Sequence, residues 1–321
     1  MRILVLGAAG FAGRHLCAEL LRRGHGVLPA GRSVPPPGVL PESCEPWRAC
    51  DVTEPDSVRG TLEGSAPDAV VTLAGVASPP VANRDPAAAM RVNALGVVHV
   101  LDAVERSGAR VRVAVVTSGE VYGRGGASGS PIEESEPLRP ASLYAVSKAA
   151  ADEAARAFAA RGQDVVVLRP FNHAGPGQAP GFVCPDFASQ VAAIARGLHR
   201  GPIEVGNLDV ERDFSDVRDV VRGYACAIER GRAGEAYNLC SGRATPVRTI
   251  LEELCSIAGI EPEVRVASDR RRVGEGKGTW GSRAKAARDL GWEPAIPLRR
   301  TLLDVLDGEM NARGAAAAAV G

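Results

Sequence analysis

A tyrosine and a lysine, Tyr144 and Lys148, lie four residues apart in a stretch whose composition predicts a helix. Residues at this spacing share one helix face, one turn apart. A nearby ammonium stabilises a phenolate, so we expect Lys148 to lower the pKa of Tyr144 from about 10 towards neutrality. Tyr144 could then exchange a proton with a carbonyl oxygen. The alternative is an exposed helical pair without a catalytic role, so the neighbouring motifs must decide between the two interpretations.

A hydroxyl and a carboxylate follow another predicted strand, in residues 115–123, where Ser118 and Glu120 stand. Open α/β folds bind their ligands beyond the carboxyl ends of parallel strands. The strand before Ser118 therefore places this hydroxyl at the ligand-binding edge of the predicted sheet. This position favours the catalytic interpretation of Tyr144 and Lys148.

Three glycines, Gly7, Gly10 and Gly13, lie between the first predicted strand and the first predicted helix. G-x-x-G-x-x-G spacing at such a turn is typical of dinucleotide binding. Gly7 would allow the tight turn, Gly10 the approach of backbone N–H groups to a pyrophosphate, and Gly13 close packing of helix on sheet. The phosphates would sit at the positive helix end, in contact with Phe11 and Ala12. A glycine turn without a ligand is the alternative.

The end of the second predicted strand indicates which dinucleotide binds. An Asp or Glu about 20 residues after the glycines would hold the adenosine ribose of NAD. Residues 30–33 instead read Ala-Gly-Arg-Ser. The guanidinium of Arg32 favours a 2′-phosphate, with Arg14 as a helper, so we predict NADP(H) and keep NAD(H) as the alternative. Arg32 could also be a solvated loop residue.

Short β-branched runs alternate with longer alanine-rich amphipathic stretches, which is typical of βαβ units around a buried parallel sheet. We predict an α/β protein with a Rossmann-type doubly wound parallel sheet and a smaller, mixed C-terminal substrate-binding domain. The first domain would span residues 1–170, and the chain would return to it at about 207–242. Residues 171–206 and 243–312 would form the second domain, and the tail at 313–321 would be frayed.

The composition excludes several classes of protein. The chain has 321 residues, 45% hydrophobic and 24% charged, enough for one large α/β unit or two modest ones. Its 38 basic and 38 acidic side chains leave no net field to attract nucleic acid. Seven scattered cysteines without a C-x-x-C pair fit reduced thiols better than disulfides or a zinc site, so we predict no metal. Without a signal peptide or a membrane-spanning run, a cytoplasmic protein is expected.

The order of these motifs resembles the extended short-chain dehydrogenase/reductase family, in its nucleotide-sugar branch, over nearly the whole chain. By this resemblance Ser118 would orient the substrate hydroxyl or carbonyl, Tyr144 would be the acid/base, and Lys148 would serve both the cofactor ribose and the tyrosine. Asp51 and Val52 would lie near the adenine. The other matching positions on the cofactor side are Leu73, Ala74, Gly75 and Asn93.

Three positions in the C-terminal half resemble the family's contacts to a sugar-nucleotide diphosphate. Asn172 would meet the diphosphate, and Arg212 would bind it through its guanidinium. Arg212 could instead be the structural partner of a nearby aspartate. Arg272 aligns best with a second diphosphate arginine, although valine replaces the proline usual after it and the two preceding arginines stay alternatives.

Three reactions at sugar carbon 4 share this scaffold: 4-epimerisation, 4,6-dehydration and 4-keto reduction. Dehydratases of the family carry an acid where Glu120 stands, commonly beside another polar residue, but Gly119 fills that place here. The loops look most like those of GDP-4-keto-6-deoxymannose reductases. We therefore expect NADPH-dependent reduction of a nucleotide-linked 4-keto-6-deoxyhexose, with a 4,6-dehydratase or 4-epimerase as the alternative. A dinucleotide-sensing regulator without chemistry is the alternative from another class.

Two predicted helices, at 85–107 and 144–161, carry alanine and valine on more than one face. In the family such helices form a four-helix dimer interface, so the resemblance implies a homodimer. Both helices lying wholly against the sheet is the alternative.

Overall fold

Seven parallel strands form the central sheet, and their composition explains their burial. Ala69–Thr72 and Val165–Pro170 are buried at every position, as a sheet covered on both faces requires. Their valines pack well on a pleated surface. The predicted α/β class with a Rossmann-type doubly wound sheet is confirmed. The computed structural model describes residues 1–123, 129–267 and 278–318.

The described strands and helices have the following bounds. The strands are β1 (Arg2–Leu6), β2 (Gly26–Gly31), β3 (Arg48–Ala49), β4 (Ala69–Thr72), β5 (Arg112–Val116), β6 (Val165–Pro170), β7 (Asn172–Ala174), β8 (Ile203–Val205), β9 (Glu211–Arg212), β10 (Phe214–Asp216), β11 (Ala236–Leu239), β12 (Thr245–Pro246) and β13 (Val264–Val266). The helices are α1 (Phe11–Arg22), α2 (Pro55–Ser65), α3 (Pro79–Arg84), α4 (Pro86–Met90), α5 (Gly96–Ser107), α6 (Leu143–Ala160), α7 (Val183–Ala195), α8 (Val217–Arg230), α9 (Val247–Ala258), α10 (Ala284–Leu290) and α11 (Leu298–Ala318), with a π-helical turn at Arg91–Leu95 and a 3₁₀ turn at Gly119–Tyr122.

The strand order places a crevice at one point of the sheet edge. The order is β11-β6-β5-β4-β1-β2-β3, so the direction of winding reverses between β1 and β4. Such sheets bind ligands beyond the carboxyl ends of the strands at this reversal. The loops that leave β1, β4 and β5 there carry the glycine motif, residues 73–75 and Ser118. The topology therefore gathers segments that are distant in sequence.

Helices cover both faces of this sheet. One buried cluster joins α1, α8 and α10 to it, and another joins α2, α5 and α6. Among the described helices, the stretch Pro86–Ser107 is long and apolar enough to cross a membrane, with a mean hydropathy of 1.4, yet 50% of it is buried inside the protein. We interpret it as a core helix, because its side chains pack in the second cluster at Val97, Val100, Leu101 and Val104.

A separate apolar cluster forms the core of a second lobe. It draws on α7, β8, α9 and α11 through Phe187, Ile203, Ile250 and Leu302. Leu208 and Phe214 also lie in this cluster, although the sequence predicts residues 207–242 in the first domain. The chain returns to the sheet later, through α8 and through β11, which pairs with β6.

Residues 284–292 cross the predicted boundary in the other direction. Ala286, Leu290 and Trp292 belong to the cluster on the sheet, although the sequence predicts them in the second domain. The indole Nε1 of Trp292 donates to the Asp219 carbonyl at 2.8 Å and fixes this segment against α8. The boundary between the two lobes is therefore set by contacts between residues that are distant in sequence, which the sequence does not reveal.

Two terminal predictions need correction. The prediction that residues 313–321 are frayed is wrong for its first part, because the α11 backbone continues as helix to Ala318. Alanine has the highest helix propensity, so extending the helix costs little. The helix α3 has no counterpart among the predicted elements. Its two prolines, at Pro79 and Pro80, stand in the first turn, where proline starts a helix instead of breaking it.

Candidate active site

The glycine loop between β1 and α1 leaves no room for side chains at two positions. Gly7 has a φ of +88°, and a Cβ there would come within 2.6 Å of the Ala74 nitrogen and 2.8 Å of the Leu73 carbonyl carbon. A Cβ at Gly13 would collide with the carbonyl groups of Gly7 and Ala8. The close approach of α1 to the sheet therefore depends on both glycines.

The amino end of α1 presents free backbone donors. Gly10 caps this helix without a side-chain hydrogen bond, and no acidic residue stands in the first turn. Its N–H groups can therefore receive an anion. Phe11 and Ala12 are half-buried here, and the Phe11 ring stacks on His173 with 6.0 Å between centroids. This arrangement fits a pyrophosphate, and the cofactor contacts of these residues stay a prediction.

The two side chains predicted for the adenosine end are neighbours. Arg32 is exposed at the end of β2. The pKa of Asp51 is lowered mainly by a hydrogen bond from the Thr53 N–H, at 2.9 Å, and the positive charge of Arg32 contributes. Val52 is buried, and the His99 Nδ1 lies 2.8 Å from its carbonyl, which ties this loop to α5.

Arg14 contacts the second lobe. Its guanidinium donates to the Gly177 carbonyl in the second lobe and lies 5.9 Å from the centre of the Phe11 ring. The help of Arg14 in holding a 2′-phosphate stays a prediction. The position of Arg14 in the first turn of α1 directs the side chain to residues 175–178.

Asn93 lies in the π-helical turn, a feature frequent at functional sites. Its Oδ1 accepts from the Val76 N–H at 2.8 Å, and its Nδ2 donates to the Ser147 hydroxyl at 2.9 Å. A Cβ at Gly75 would come within 2.8 Å of the Asn93 Oδ1 and 3.5 Å of the Lys148 Nζ. The loop after β4 and the helix α6 are thus brought together around a glycine.

The structure brings Ser118, Tyr144 and Lys148 together beyond the carboxyl end of β5. They are 9%, 8% and 7% exposed, and the Ser118 hydroxyl is hydrogen-bonded to the Tyr144 phenol. The Ser142 hydroxyl accepts a backbone N–H at 3.1 Å and so begins α6 just before the tyrosine. One turn on, the Lys148 ammonium donates to the Val116 carbonyl at 3.1 Å. A hydroxyl, a phenol and an ammonium, all three buried, therefore lie together beyond the carboxyl end of β5.

The electrostatics of this group differ from the prediction. Burial raises the pKa of Tyr144, the Glu120 carboxylate raises it further, and the hydrogen bond to Ser118 lowers it. Burial also lowers the pKa of Lys148 to about 8. The expectation that Lys148 lowers the Tyr144 pKa towards neutrality is wrong, because the desolvation of a buried phenolate dominates. Tyr144 is a protonated phenol at neutral pH, which is the form that donates a proton.

Glu120 lies near Tyr144, in the 3₁₀ turn after Ser118. Its side chain is exposed, and its charge acts on Tyr144. Its neighbour Gly119 has no room for a side chain, because a Cβ there would come within 2.8 Å of the Phe171 ring. A second polar side chain beside Glu120 is therefore sterically excluded while Phe171 keeps its place.

The residues predicted for the substrate side are less buried. Asn172 is exposed at the start of β7, opposite Phe214 in the pairing with β10. Arg212 is half-buried on β9, and its Nη1 donates to the Glu211 carbonyl at 2.8 Å. Arg272 and the two preceding arginines lie outside the described residues. In the part of the chain that is described, no group of three or more His, Cys, Asp or Glu side chains could hold a metal ion.

Asp213, next to Arg212, is a buried carboxylate that the sequence analysis missed. It accepts hydrogen bonds from the Ser241 N–H at 2.7 Å, the Ser241 hydroxyl at 2.6 Å, the Gly242 N–H at 3.0 Å and the Gly281 N–H at 3.2 Å. These bonds fix the segment that carries Arg212 against two other loops. The sequence offered one indication of this residue, namely an acidic side chain directly after Arg212, between the short strands β9 and β10.

The chain is similar to several known proteins in sequence and in fold. Residues 3–240 match the model of the NAD dependent epimerase/dehydratase family. GDP-6-deoxy-D-mannose reductase of Pseudomonas aeruginosa is 38% identical over 97% of this chain and 98% of its own. The structure of RMD from Pseudomonas aeruginosa complexed with NADPH superposes with a TM-score of 0.85, at 36% identity, over 97% of this chain and 99% of that one. The UDP-glucose 4-epimerase of Thermus thermophilus, complexed with NAD, gives a TM-score of 0.86 at 28% identity, over 97% and 100%.

Proposed function

The chain belongs to the NAD dependent epimerase/dehydratase family, and we propose that it uses NADPH to reduce the 4-keto group of a nucleotide-linked 4-keto-6-deoxyhexose. The substrate we favour is GDP-4-keto-6-deoxymannose. The observation that carries the proposal is the meeting of Ser118, Tyr144 and Lys148 at the sheet crevice beside the glycine loop. The name of the 38% identical relative, a GDP-6-deoxy-D-mannose reductase, supports the choice of nucleotide and sugar.

The described residues fit a bound NADP(H). The glycine loop offers uncapped N–H groups to a pyrophosphate, and Arg32 offers an exposed cation where a 2′-phosphate would lie. The relative solved with NADPH supports this choice, and the relative solved with NAD keeps NAD(H) as the alternative. The bound cofactor supplies the hydride for the ketone carbon.

Tyr144 donates the proton in this reaction. Its raised pKa keeps the phenol protonated at neutral pH, and an alkoxide that develops on the ketone oxygen is a stronger base than a phenolate. The Ser118 hydroxyl, already at hydrogen-bond distance from the phenol, donates to the same oxygen. The ammonium of Lys148, one helix turn away, stabilises the phenolate that remains on Tyr144.

The second lobe holds the sugar nucleotide in this proposal. Arg212 pairs with the diphosphate, Asn172 contacts it at the boundary between the lobes, and Arg272 supplies a second cation. Asp216, one of the aspartates that could have paired with Arg212, pairs with the Arg218 guanidinium at 2.7 Å.

Dehydration or epimerisation is the second candidate, and Glu120 is the observation that favours it. Its negative charge acts on Tyr144, and a carboxylate at this position could take up a proton from the sugar. The contact between Gly119 and the Phe171 ring favours reduction, because it removes the second polar residue that dehydratases of the family commonly carry there.

The decisive experiment measures NADPH absorbance with a panel of 4-keto-6-deoxy sugars linked to GDP, dTDP, CDP or UDP. We expect NADPH consumption, fastest with the GDP sugar. A parallel reaction contains GDP-mannose and no added NADPH. Product in that reaction, together with no NADPH consumption on the panel, would replace reduction by dehydration or epimerisation.

A homodimer is our proposal for the assembly. Large apolar side chains are exposed on the adjoining helices α4 to α6, at Met90, Leu95, Leu143 and Val146. Burial of this face against a second copy would remove them from water. Light scattering should give twice the chain mass, and Leu95→Glu should reduce it to the mass of one chain. A cytoplasmic location is likewise a proposal, supported by seven free cysteines.

A further inference from the structure

A buried ion pair lies behind the proposed catalytic residues. Asp152 and Arg169 are both 0% exposed. The Arg169 guanidinium donates two hydrogen bonds to the Asp152 carboxylate, from Nη2 to Oδ1 at 2.7 Å and from Nε to Oδ2 at 2.8 Å. Replacing a buried ion pair by apolar residues is often neutral or stabilising, so stability alone explains such a pair poorly.

The position of Asp152 connects it to the catalytic face of α6. It stands one turn after Lys148 and two turns after Tyr144, so the three side chains share a helix face. Its Oδ2 also accepts from the Thr117 hydroxyl at 3.2 Å. Thr117 directly precedes Ser118, so one carboxylate joins the helix of the phenol to the segment of the serine.

Arg169 extends this connection to the other loops of the site. Its Nη1 donates to the Tyr122 hydroxyl at 2.7 Å, in the 3₁₀ turn that carries Glu120. Tyr122 in turn donates to the Asn238 Oδ1 at 2.8 Å. Arg169 itself lies at the end of β6, three residues before Asn172. Every segment that bears a proposed catalytic group therefore contacts this pair.

We propose that Asp152 and Arg169 are positioning residues, which set the separation of the Ser118 hydroxyl from the Tyr144 phenol. The carboxylate holds α6 and the end of β5 at a fixed distance, and the guanidinium holds the carboxylate in one orientation. Reaction rates are sensitive to small displacements of catalytic groups, because a proton must pass at hydrogen-bond distance. This inference rests on the proposed function in one respect. It assumes that turnover requires the Ser118 hydroxyl and the Tyr144 phenol to bond to the same ketone oxygen.

The test removes the Thr117 hydroxyl, which lies 3.2 Å from both the Asp152 Oδ2 and the Leu168 carbonyl, and keeps the ion pair. Thr117→Val deletes the hydroxyl that links Asp152 to β5 at nearly constant volume, whereas Thr117→Ser keeps it. We expect kcat of Thr117→Val to fall about 10- to 100-fold, with the KM for NADPH and the NADPH dissociation constant unchanged. Thr117→Ser should restore most of kcat. Asp152→Asn should lose at least as much activity, and the threonine variants decide the question if it fails to fold.

A matched control lies in the second lobe. The Thr301 hydroxyl donates at 2.8 Å to Asp216, another buried aspartate paired with an arginine. Thr301→Val should therefore lower the melting temperature about as much as Thr117→Val but leave kcat unchanged. Equal kcat losses in the two variants, or none in Thr117→Val, would reduce the Asp152–Arg169 pair to a structural role.

Crystal structures keep the inference separate from the proposed function. In Thr117→Val the hydrogen bond between Ser118 and Tyr144 should lengthen or break, while Thr301→Val keeps it. An unchanged bond in Thr117→Val overturns the inference whatever the reaction is. A wild-type protein that consumes no NADPH on the sugar panel overturns the proposed function, and the crystallographic comparison still decides the role of the pair.

Discussion

The two halves of the proposed site differ in how deeply their side chains are buried. On the cofactor side, Asn93, Tyr144 and Lys148 are 1%, 8% and 7% exposed, and each is hydrogen-bonded to a neighbouring element. On the substrate side, Asn172 is exposed and Arg212 is half-buried. The chemical half is therefore preorganised, whereas the substrate half presents its side chains more openly.

The difference follows from the sheets that support each half. The cofactor side stands on the edge of a seven-stranded sheet covered on both faces. The substrate side stands on β7, β9, β10 and β12, which form two-stranded sheets with strands of two or three residues. The hydrogen bonds of Asp213 fix the backbone that carries Arg212, so the side chains of Asn172 and Arg212, and not the strands, are left to meet a ligand. Changes in the first half should therefore act on kcat, and changes in the second half on KM.

The largest expected effect is on the cofactor side. Tyr144→Phe removes the proton donor and should lower kcat by about 10²- to 10⁴-fold, while the NADPH dissociation constant stays near that of the wild type. Tyr237→Phe is the matched control, because the Tyr237 hydroxyl only accepts a backbone N–H at 3.0 Å in another part of the sheet. A Tyr144→Phe protein with most of its turnover would contradict the assignment of the acid.

A substrate-side change should show the opposite division of effects. Arg212→Gln removes the cation proposed for the diphosphate, so the KM for the sugar nucleotide should rise about 10- to 100-fold, as expected for a charged hydrogen bond. kcat should change little. Arg248→Gln is the control, since this exposed arginine of the same lobe pairs with Asp209 at 2.9 Å. A fall in kcat as large as the rise in KM would move Arg212 to the chemical half of the site.

A change at Arg32 tests the cofactor side of the site at a position where the side chain is exposed. Arg32→Gln should raise the KM for NADPH about tenfold and leave the KM for NADH unchanged, because only the former carries a 2′-phosphate. Steady-state kinetics with both cofactors measure this ratio. Arg59→Gln, which removes an exposed arginine paired with Asp56 at 2.9 Å, serves as the control. Equal losses with both cofactors would exclude recognition of the phosphate.

The same comparison explains what the sequence could predict. The turn at Gly7 and Gly13 and the pair of Tyr144 and Lys148 depend on spacing within a few residues, so their geometry could be read directly. Asp213 was missed because it bonds Gly281 across 68 residues. Long-range contacts of this kind carry no local pattern.

Two features that the sequence does not show have the same origin. Arg14 was expected at the 2′-phosphate, and the sequence does not show its contact with Gly177, which is 163 residues away in the chain. The pKa of Tyr144 was expected to fall, because the sequence shows the ammonium of Lys148 but not the depth at which the phenol is buried. Motifs therefore predicted which residues meet, whereas tertiary packing decided their electrostatics.

The smallest effect concerns pH. Burial lowers the pKa of Lys148 to about 8, so the ammonium that stabilises the Tyr144 phenolate is lost as pH rises through this value. Tyr144 stays protonated there, because its own pKa is raised. Because kcat/KM reports the groups of the free enzyme, kcat/KM for the sugar nucleotide should be halved at pH about 8 and fall further above it. A flat profile to pH 9.5, about one and a half units above that pKa, would show that the Lys148 charge does not assist the reaction.

A measurement of stability distinguishes the fall in activity above pH about 8 from unfolding of the protein. Deprotonation of Lys148 lowers the activity but raises the free energy of unfolding. Between pH about 8 and 10.5 the folded protein binds fewer protons at Lys148 than the unfolded chain, whose lysine pKa is 10.5. The contribution of this lysine to the unfolding free energy therefore rises with pH through that window. Lys148→Met lacks the buried charge, so its advantage in melting temperature over the wild type should shrink as pH rises from 8 to 10.5. If the difference in melting temperature between the two proteins stayed constant over this pH range, the Lys148 ammonium would not be desolvated. The cofactor side of the site would then not differ from the substrate side in the burial of a charged group.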